Sequence, residues 1–118
     1  MFILRRLFQT AALPEAMAAA KTKAQQIIDE NGVAVFSKSY CPYCNATKRL
    51  LDSVGAKYYV LELDQVSDGS EIQSALEEMT GQRTVPNVFI NRKHIGGNSD
   101  VQARKDDLKD LLAEAGAI

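Results

Sequence analysis

The sequence predicts a single α/β domain in which a central four-stranded mixed sheet is flanked by helices. Three observations carry this expectation. Apolar residues switch between helical spacing and short β-branched or aromatic runs, in the order α-β-α-β-α-β-β-α. A C-x-x-C, Cys41-Pro42-Tyr43-Cys44, stands where the first strand-like run gives way to a helix. The chain of 118 residues, 46% hydrophobic and 25% charged, suits one globular domain and excludes both a second domain and wholesale disorder.

From Met17 to about Glu30, Ala20, Ala24, Ile27 and Ile28 recur at helical spacing, and Asn31-Gly32 ends the helix. Val33–Phe36 is a short apolar run suited to a buried parallel strand. After the Ser37–Tyr40 turn, Pro42 suits the first position of a helix whose apolar stripe is Leu50, Leu51 and Val54, up to Gly55. Residues 58–63 form a second strand. Asp68 to about Met79 is a helix with Ile72, Ala75, Leu76 and Met79 on one face. Beyond Pro86, Asn87–Ile90 and Lys93–Ile95 read as a hairpin turned at Asn91-Arg92. Gly96-Gly97 breaks the chain, and Ser99–Ile118 is expected as one helix with Leu108, Leu111 and Leu112 inward. A strand–helix–strand unit, then a helix and a hairpin, with C-x-x-C at the first strand-to-helix turn, reads as a thioredoxin-like fold.

Residues 1–16 stand apart from the domain at 17–118: they are apolar, carry Arg5 and Arg6, and hold no acid before Glu15. That composition reads either as a mitochondrial transit peptide or as an extension bypassed by a start at Met17. The compartment expected is cytoplasmic, or mitochondrial through this segment.

Several function classes drop out on composition. Fourteen Lys+Arg against fifteen Asp+Glu leave no basic excess for nucleic acid. No apolar run approaches the roughly 18–20 residues that span a bilayer, so no membrane partner is expected. Two cysteines and His94 fall short of the four Cys/His ligands of a structural zinc site, and no metal is expected. His94, in a short strand away from the thiols, is read as structural rather than catalytic.

Thiol–disulfide exchange needs a thiolate. Cys41 at a helix start meets unpaired backbone N–H groups and the positive end of the helix dipole, and Lys38 adds a cation nearby. Cys44, three residues on, lies one turn inside the helix on the same side and more enclosed. Cys41 is therefore read as the attacking thiol and Cys44 as the resolving one. A structural disulfide closing so small a ring would contribute little loop entropy.

The chain resembles the dithiol glutaredoxins, in fungal or other eukaryotic form. The resemblance rests on Lys38-Ser39-Tyr40-Cys41-Pro42-Tyr43-Cys44, Thr84-Val85-Pro86 and Gly96-Gly97-Asn98-Ser99-Asp100, in the family's order, and it spans about residues 18–116. It implies a monomeric glutathione-dependent thiol–disulfide oxidoreductase acting on glutathionylated or disulfide-bonded proteins, with glutathione as co-substrate. It implies that Cys41 carries the glutathionyl group and Cys44 closes an intramolecular disulfide. It also implies that Lys38, Tyr43, Gln73, Thr84, Val85, Pro86, Ser99 and Asp100 hold glutathione, with Pro86 in the cis form. Physical reasoning agrees: an extended peptide pairs with the Val85 backbone, Gly96-Gly97 let the next helix start aim N–H groups at a carboxylate, and Asp100 answers an ammonium. An ordinary Ser99 N-cap after a two-glycine turn is the plainer alternative for that segment. Two rivals are weighed. A thioredoxin-type reductase is disfavoured because the chain has no Trp and Tyr40 precedes Cys41. A dimer sharing a [2Fe–2S] cluster through Cys41 and glutathione is disfavoured by the rigid Pro42.

Overall fold

The computed structural model describes residues 2–118, with side chains from residue 15 onward. The reading of residues 1–16 as a targeting or bypassed segment therefore falls almost wholly outside the described side chains. In chain order the elements are α1 (Phe2–Glu30), β1 (Val33–Ser37), α2 (Pro42–Ser53), β2 (Tyr59–Glu62), a 3₁₀ turn (Leu63–Gln65), α3 (Gly69–Thr80), β3 (Asn87–Ile90), β4 (Lys93–Gly96), α4 (Asn98–Ala103) and α5 (Leu108–Glu114).

The four strands form one mixed sheet in the order β2-β1-β3-β4, with β1 parallel to β2 and antiparallel to β3. Because successive side chains of a strand point to opposite faces, β1 builds two half-cores at once. Ala34 and Phe36 face α1 and α3, joining Ala20, Ala24, Ile28, Ile72, Ala75 and Leu76. Val33 and Val35 face the other way, joining Leu51, Val101, Leu108 and Leu112. Every residue of β1 is buried, which is why this strand reads as a continuous apolar run rather than an alternating one. Phe36 and Phe89 meet edge to face across the β1–β3 pair, with ring centroids 5.9 Å apart.

The β3–β4 hairpin turns at Asn91 and Arg92, both at positive φ (52° and 65°), the backbone that a two-residue primed turn requires. Neither is glycine. The Asn91 N–H bonds the Gly32 carbonyl at 2.8 Å, so the turn is tied to the loop after α1.

The C-terminal segment departs from the expected single helix. It divides into α4 and α5 at Arg104–Asp107, where backbone bonds tighten to three-residue spacing: Arg104 to Val101 and Asp107 to Arg104. The Arg104 guanidinium grips the Asp107 carboxylate across this turn at 2.8 Å. Val101, Leu108 and Leu112 all remain buried, so the apolar spacing is kept while the helix is interrupted. Tertiary packing prevails over local helix preference here.

Candidate active site

The site forms where the C-terminal end of β1 meets the start of α2. Cys41 is the N-cap of α2, in extended backbone (φ −88°, ψ 117°), with Pro42 as the first helical residue. Its sulfur takes the role usually filled by a Ser or Asp oxygen: it accepts the Cys44 N–H at 3.2 Å. A negative sulfur at this point satisfies an otherwise unpaired helix donor and lies at the positive end of the helix. Cys41 is half-buried, whereas Cys44 is fully buried, and both are free thiols. Burial, with help from the Cys41 side chain, pushes the Cys44 thiol up to about 11. The two thiols are thus unequal: one accessible and supported by the helix start, the other enclosed and held protonated near neutral pH.

Across from Cys41 runs Thr84-Val85-Pro86, with the Val85–Pro86 peptide cis. The Val85 carbonyl stands 3.8 Å from the Cys41 sulfur. A cleft of about 450 Å³ opens here, lined by Tyr43, Thr84, Val85, Pro86, Gly97, Asn98 and Ser99. The structure therefore brings together five of the expected ligand-holding residues: Tyr43, Thr84, Val85, Pro86 and Ser99. Tyr43 is 69% exposed, an apolar ring presented to solvent at the cleft's edge.

The other three expected residues are placed differently. Gln73, on α3, spends its amide on the Arg83 carbonyl at 2.8 Å and does not line the cleft; it braces the loop that leads into Thr84. Asp100 turns back on its own helix, its Oδ2 accepting the Gly97 N–H at 2.9 Å. Lys38, half-buried, also stands outside the cleft lining; its carbonyl accepts the Cys41 N–H at 3.1 Å, and its charge is felt by Asp64. Ser99 is not the N-cap that a Gly-Gly-x-Ser pattern suggests. Gly97 is the cap and Ser99 lies within α4, because the Asp100 carboxylate supplies the acceptor from the third helical position. Gly96, at φ +126°, makes room for that carboxylate: a Cβ there would lie 2.3 Å from Asp100 Oδ2.

Several positioning contacts had no signal in the sequence. Asp64, just beyond β2, accepts the Ser39 N–H at 2.9 Å and the Ser39 hydroxyl, which fixes the turn leading into Cys41; these donors hold the Asp64 carboxyl below its ordinary range. Thr47 on α2 donates to Asn98 Oδ1 at 2.9 Å, fastening the helix of the thiols to the opposite wall of the cleft. Both partners are common polar residues far apart in the chain, so only the fold reveals them. His94 lies on β4, its Nε2 2.8 Å from Asn87 Oδ1, and no contact joins it to the thiols; burial holds its pKa below the usual value.

Comparisons with known proteins agree with this arrangement. The glutaredoxin family profile matches residues 33–95, more than half of the chain. A glutaredoxin of Ricinus communis is 59% identical over 101 residues, covering 84% of this chain and 99% of its own length. Glutaredoxin-1 of Saccharomyces cerevisiae is 46% identical over 94 residues, covering 75% of this chain and 86% of its own. The crystal structure of a buckwheat glutaredoxin–glutathione complex superposes with a TM-score of 0.86 at 53% identity, covering 88% of this chain and 96% of that one. The eukaryotic affinity seen in the motifs thus extends to plants, with higher identity to the Ricinus protein than to the yeast one. The sheet order, the dithiol at the start of α2 and these relatives give one conclusion: the chain belongs to the glutaredoxin family of thiol–disulfide oxidoreductases.

Proposed function

We propose that this enzyme reduces mixed disulfides between glutathione and other thiols, and protein disulfides, using glutathione as electron donor. The observation that carries the reading is the Cys41 sulfur capping α2 at the end of a cleft floored by the Val85 backbone.

In the first half-reaction the Cys41 thiolate attacks the glutathione sulfur of the mixed disulfide. The S–S bond breaks, the substrate leaves as a thiolate that takes a proton from water, and Cys41 carries the glutathionyl group. A second glutathione, as thiolate, then attacks the glutathionyl sulfur. Glutathione disulfide departs and the Cys41 thiolate is restored. With a protein disulfide, Cys41 forms a mixed disulfide with the substrate instead. Cys44 loses its proton and attacks the Cys41 sulfur, releasing the second substrate thiol and leaving a Cys41–Cys44 disulfide that two glutathiones reduce.

Glutathione is a short peptide with two carboxylates and one ammonium. In the proposed pose its extended backbone pairs with Val85, Tyr43 and Thr84 flank it, and Ser99 lies near one carboxylate. Asp100 and Lys38 act at longer range, and Gln73 acts by bracing the loop. The protein works as a monomer. Residues 1–16 serve as a targeting or alternative-start segment, a reading supported by Arg5, Arg6 and the lack of acids before Glu15, and decided by mass spectrometry of the native N-terminus.

The test of the reaction is turnover of a glutathionylated peptide with glutathione and glutathione reductase, beside the same assay with thioredoxin reductase in their place. Activity should require glutathione and vanish in Cys41→Ser. Equal turnover from thioredoxin reductase would overturn the assignment.

A further inference from the structure

Gln82 belongs to no motif, yet its side chain braces the Thr84–Pro86 wall of the cleft. Its Nε2 is 3.1 Å from the Thr84 carbonyl and 3.0 Å from the Pro86 carbonyl, the two carbonyls that bracket Val85. Both partners are acceptors only, so the amide nitrogen must face them, and its two hydrogens are used up. The same nitrogen lies 3.9 Å from the place a Cβ on Gly97 would occupy, behind the opposite wall of the cleft.

Gln82 is itself held at its backbone. Its N–H bonds Thr80 Oγ1 at 3.1 Å, at the end of α3, and its carbonyl receives the Asn87 amide at 3.4 Å. Asn87 is buried and joined to His94 at 2.8 Å. The Gln82 backbone thus ties α3 to the hairpin, and its side chain ties that junction to the Thr84–Pro86 loop. With both carbonyls tied inward to Gln82, the backbone of Val85 between them is left as the edge to which an extended ligand can pair.

We infer that Gln82 is a positioning residue for substrate docking, setting the Thr84–Pro86 backbone at the register in which Val85 pairs with the glutathionyl peptide. The inference rests on the glutathione-dependent reading above. Gln82 touches neither thiol, so its removal should weaken docking without altering the reactivity of Cys41. Each lost bond of this kind is modest, and the loss of two corresponds to about a tenfold change in affinity.

The experiment uses Gln82→Met, which keeps length and packing but donates nothing, and Gln82→Glu, which keeps shape but sets a carboxylate against two carbonyls. Steady-state kinetics are measured on a glutathionylated peptide at fixed saturating glutathione, beside the same peptide carrying 2-mercaptoethanol on its thiol. Cys41 alkylation by iodoacetamide, which needs no docking, is measured in parallel, and circular dichroism checks the fold. The expected result is a KM for the glutathionylated peptide raised about tenfold in Gln82→Met and more in Gln82→Glu, with kcat and the alkylation rate within about twofold of the parent. An unchanged KM in either folded variant overturns the inference. So does a joint fall of kcat, KM discrimination and alkylation rate, or loss of the folded spectrum in both variants, since these mark a purely structural role. A parent enzyme with no preference for the glutathionylated peptide would instead overturn the glutathione reading itself.

Discussion

At the scale of the residue, the two thiols differ because of one turn of helix. Cys41 ends the turn and caps α2 with its sulfur, while Cys44 faces the sheet and is excluded from solvent. With its thiol pushed up to about 11, Cys44 is almost wholly protonated at pH 7. Iodoacetamide at neutral pH should therefore modify Cys41 alone, read by peptide mapping; comparable labelling of Cys44 would contradict the asymmetry. The same asymmetry divides the chemistry. Cys44→Ser should keep most or all deglutathionylation, which needs only Cys41 and a second glutathione, and lose much of the protein-disulfide reductase activity. In the latter, a resolving thiol already held beside the mixed disulfide has a large proximity advantage. Both assays on one preparation decide it: if the activities fall together, Cys44 supports the structure instead. This asymmetry was legible in the sequence, because a C-x-x-C with Pro behind the first cysteine specifies the helix position of both sulfurs. The cleft lining was legible only in part. Thr84, Val85, Pro86 and Ser99 are placed by main-chain turns that leave a sequence mark. Gln73 is placed by a carbonyl ten residues on, Asp100 by competition for its carboxylate, and Gln82 by loop carbonyls two and four residues on, none of which a sequence pattern marks.

At the scale of the element, the strands, α2 and α3 are where their apolar spacing puts them, while α1 begins at Phe2 rather than near Met17; β1 shows why the strands were legible. A strand buried on both faces must be apolar throughout, so Val33–Phe36 is unmistakable. The C-terminal segment reads as one helix because Leu108, Leu111 and Leu112 keep a helical spacing just beyond the break at Arg104–Asp107. Charge and turn chemistry there are ordinary, so the interruption has no local signature. A second element-level feature is the start of α3, where Gly69 is pressed on the 3₁₀ turn after β2. A Cβ on Gly69 would lie 1.8 Å from the Leu63 backbone oxygen, which cannot move aside without moving the turn that carries Asp64. Gly69→Ala should therefore cost about 1–3 kcal/mol, typical of forced overpacking, and lower Tm by several degrees. The neighbouring exposed Ser70→Ala should stay within about 0.5 kcal/mol of the parent. Chemical denaturation of both variants measures this; equal stability would mean the α3 start relaxes freely.

At the scale of the whole molecule, two acidic protons, one on buried Cys44 and one on half-buried Tyr58, couple the fold to alkaline pH. Cys44 is raised from 9.0 to about 11 by burial, and Tyr58, half-buried and bonded to Asp52 Oδ1 at 2.7 Å, is raised from 10.0 to about 12. On unfolding each returns to its ordinary value, so between those limits the unfolded chain binds fewer protons than the folded one and stability falls as pH rises. The stabilisation is complete below about pH 9, is lost first through Cys44 between about 9 and 11, and then through Tyr58 between about 10 and 12. Melting temperatures of the reduced protein should drop across that range, and Cys44→Ser or Tyr58→Phe should each flatten the slope. A melting temperature independent of pH from 9 to 11 would show that Cys44 is not held protonated by the fold.

In the function proposed, the cleft beside Cys41 selects the glutathione half of a mixed disulfide for attack. Reduced Cys44→Ser protein is mixed with one equivalent of a glutathionylated peptide, quenched with acid, and weighed intact by mass spectrometry. A single glutathionyl group on Cys41 with free peptide released is the result this account predicts. Peptide attached to Cys41 with free glutathione released would place the wrong half of the substrate in the cleft and contradict it.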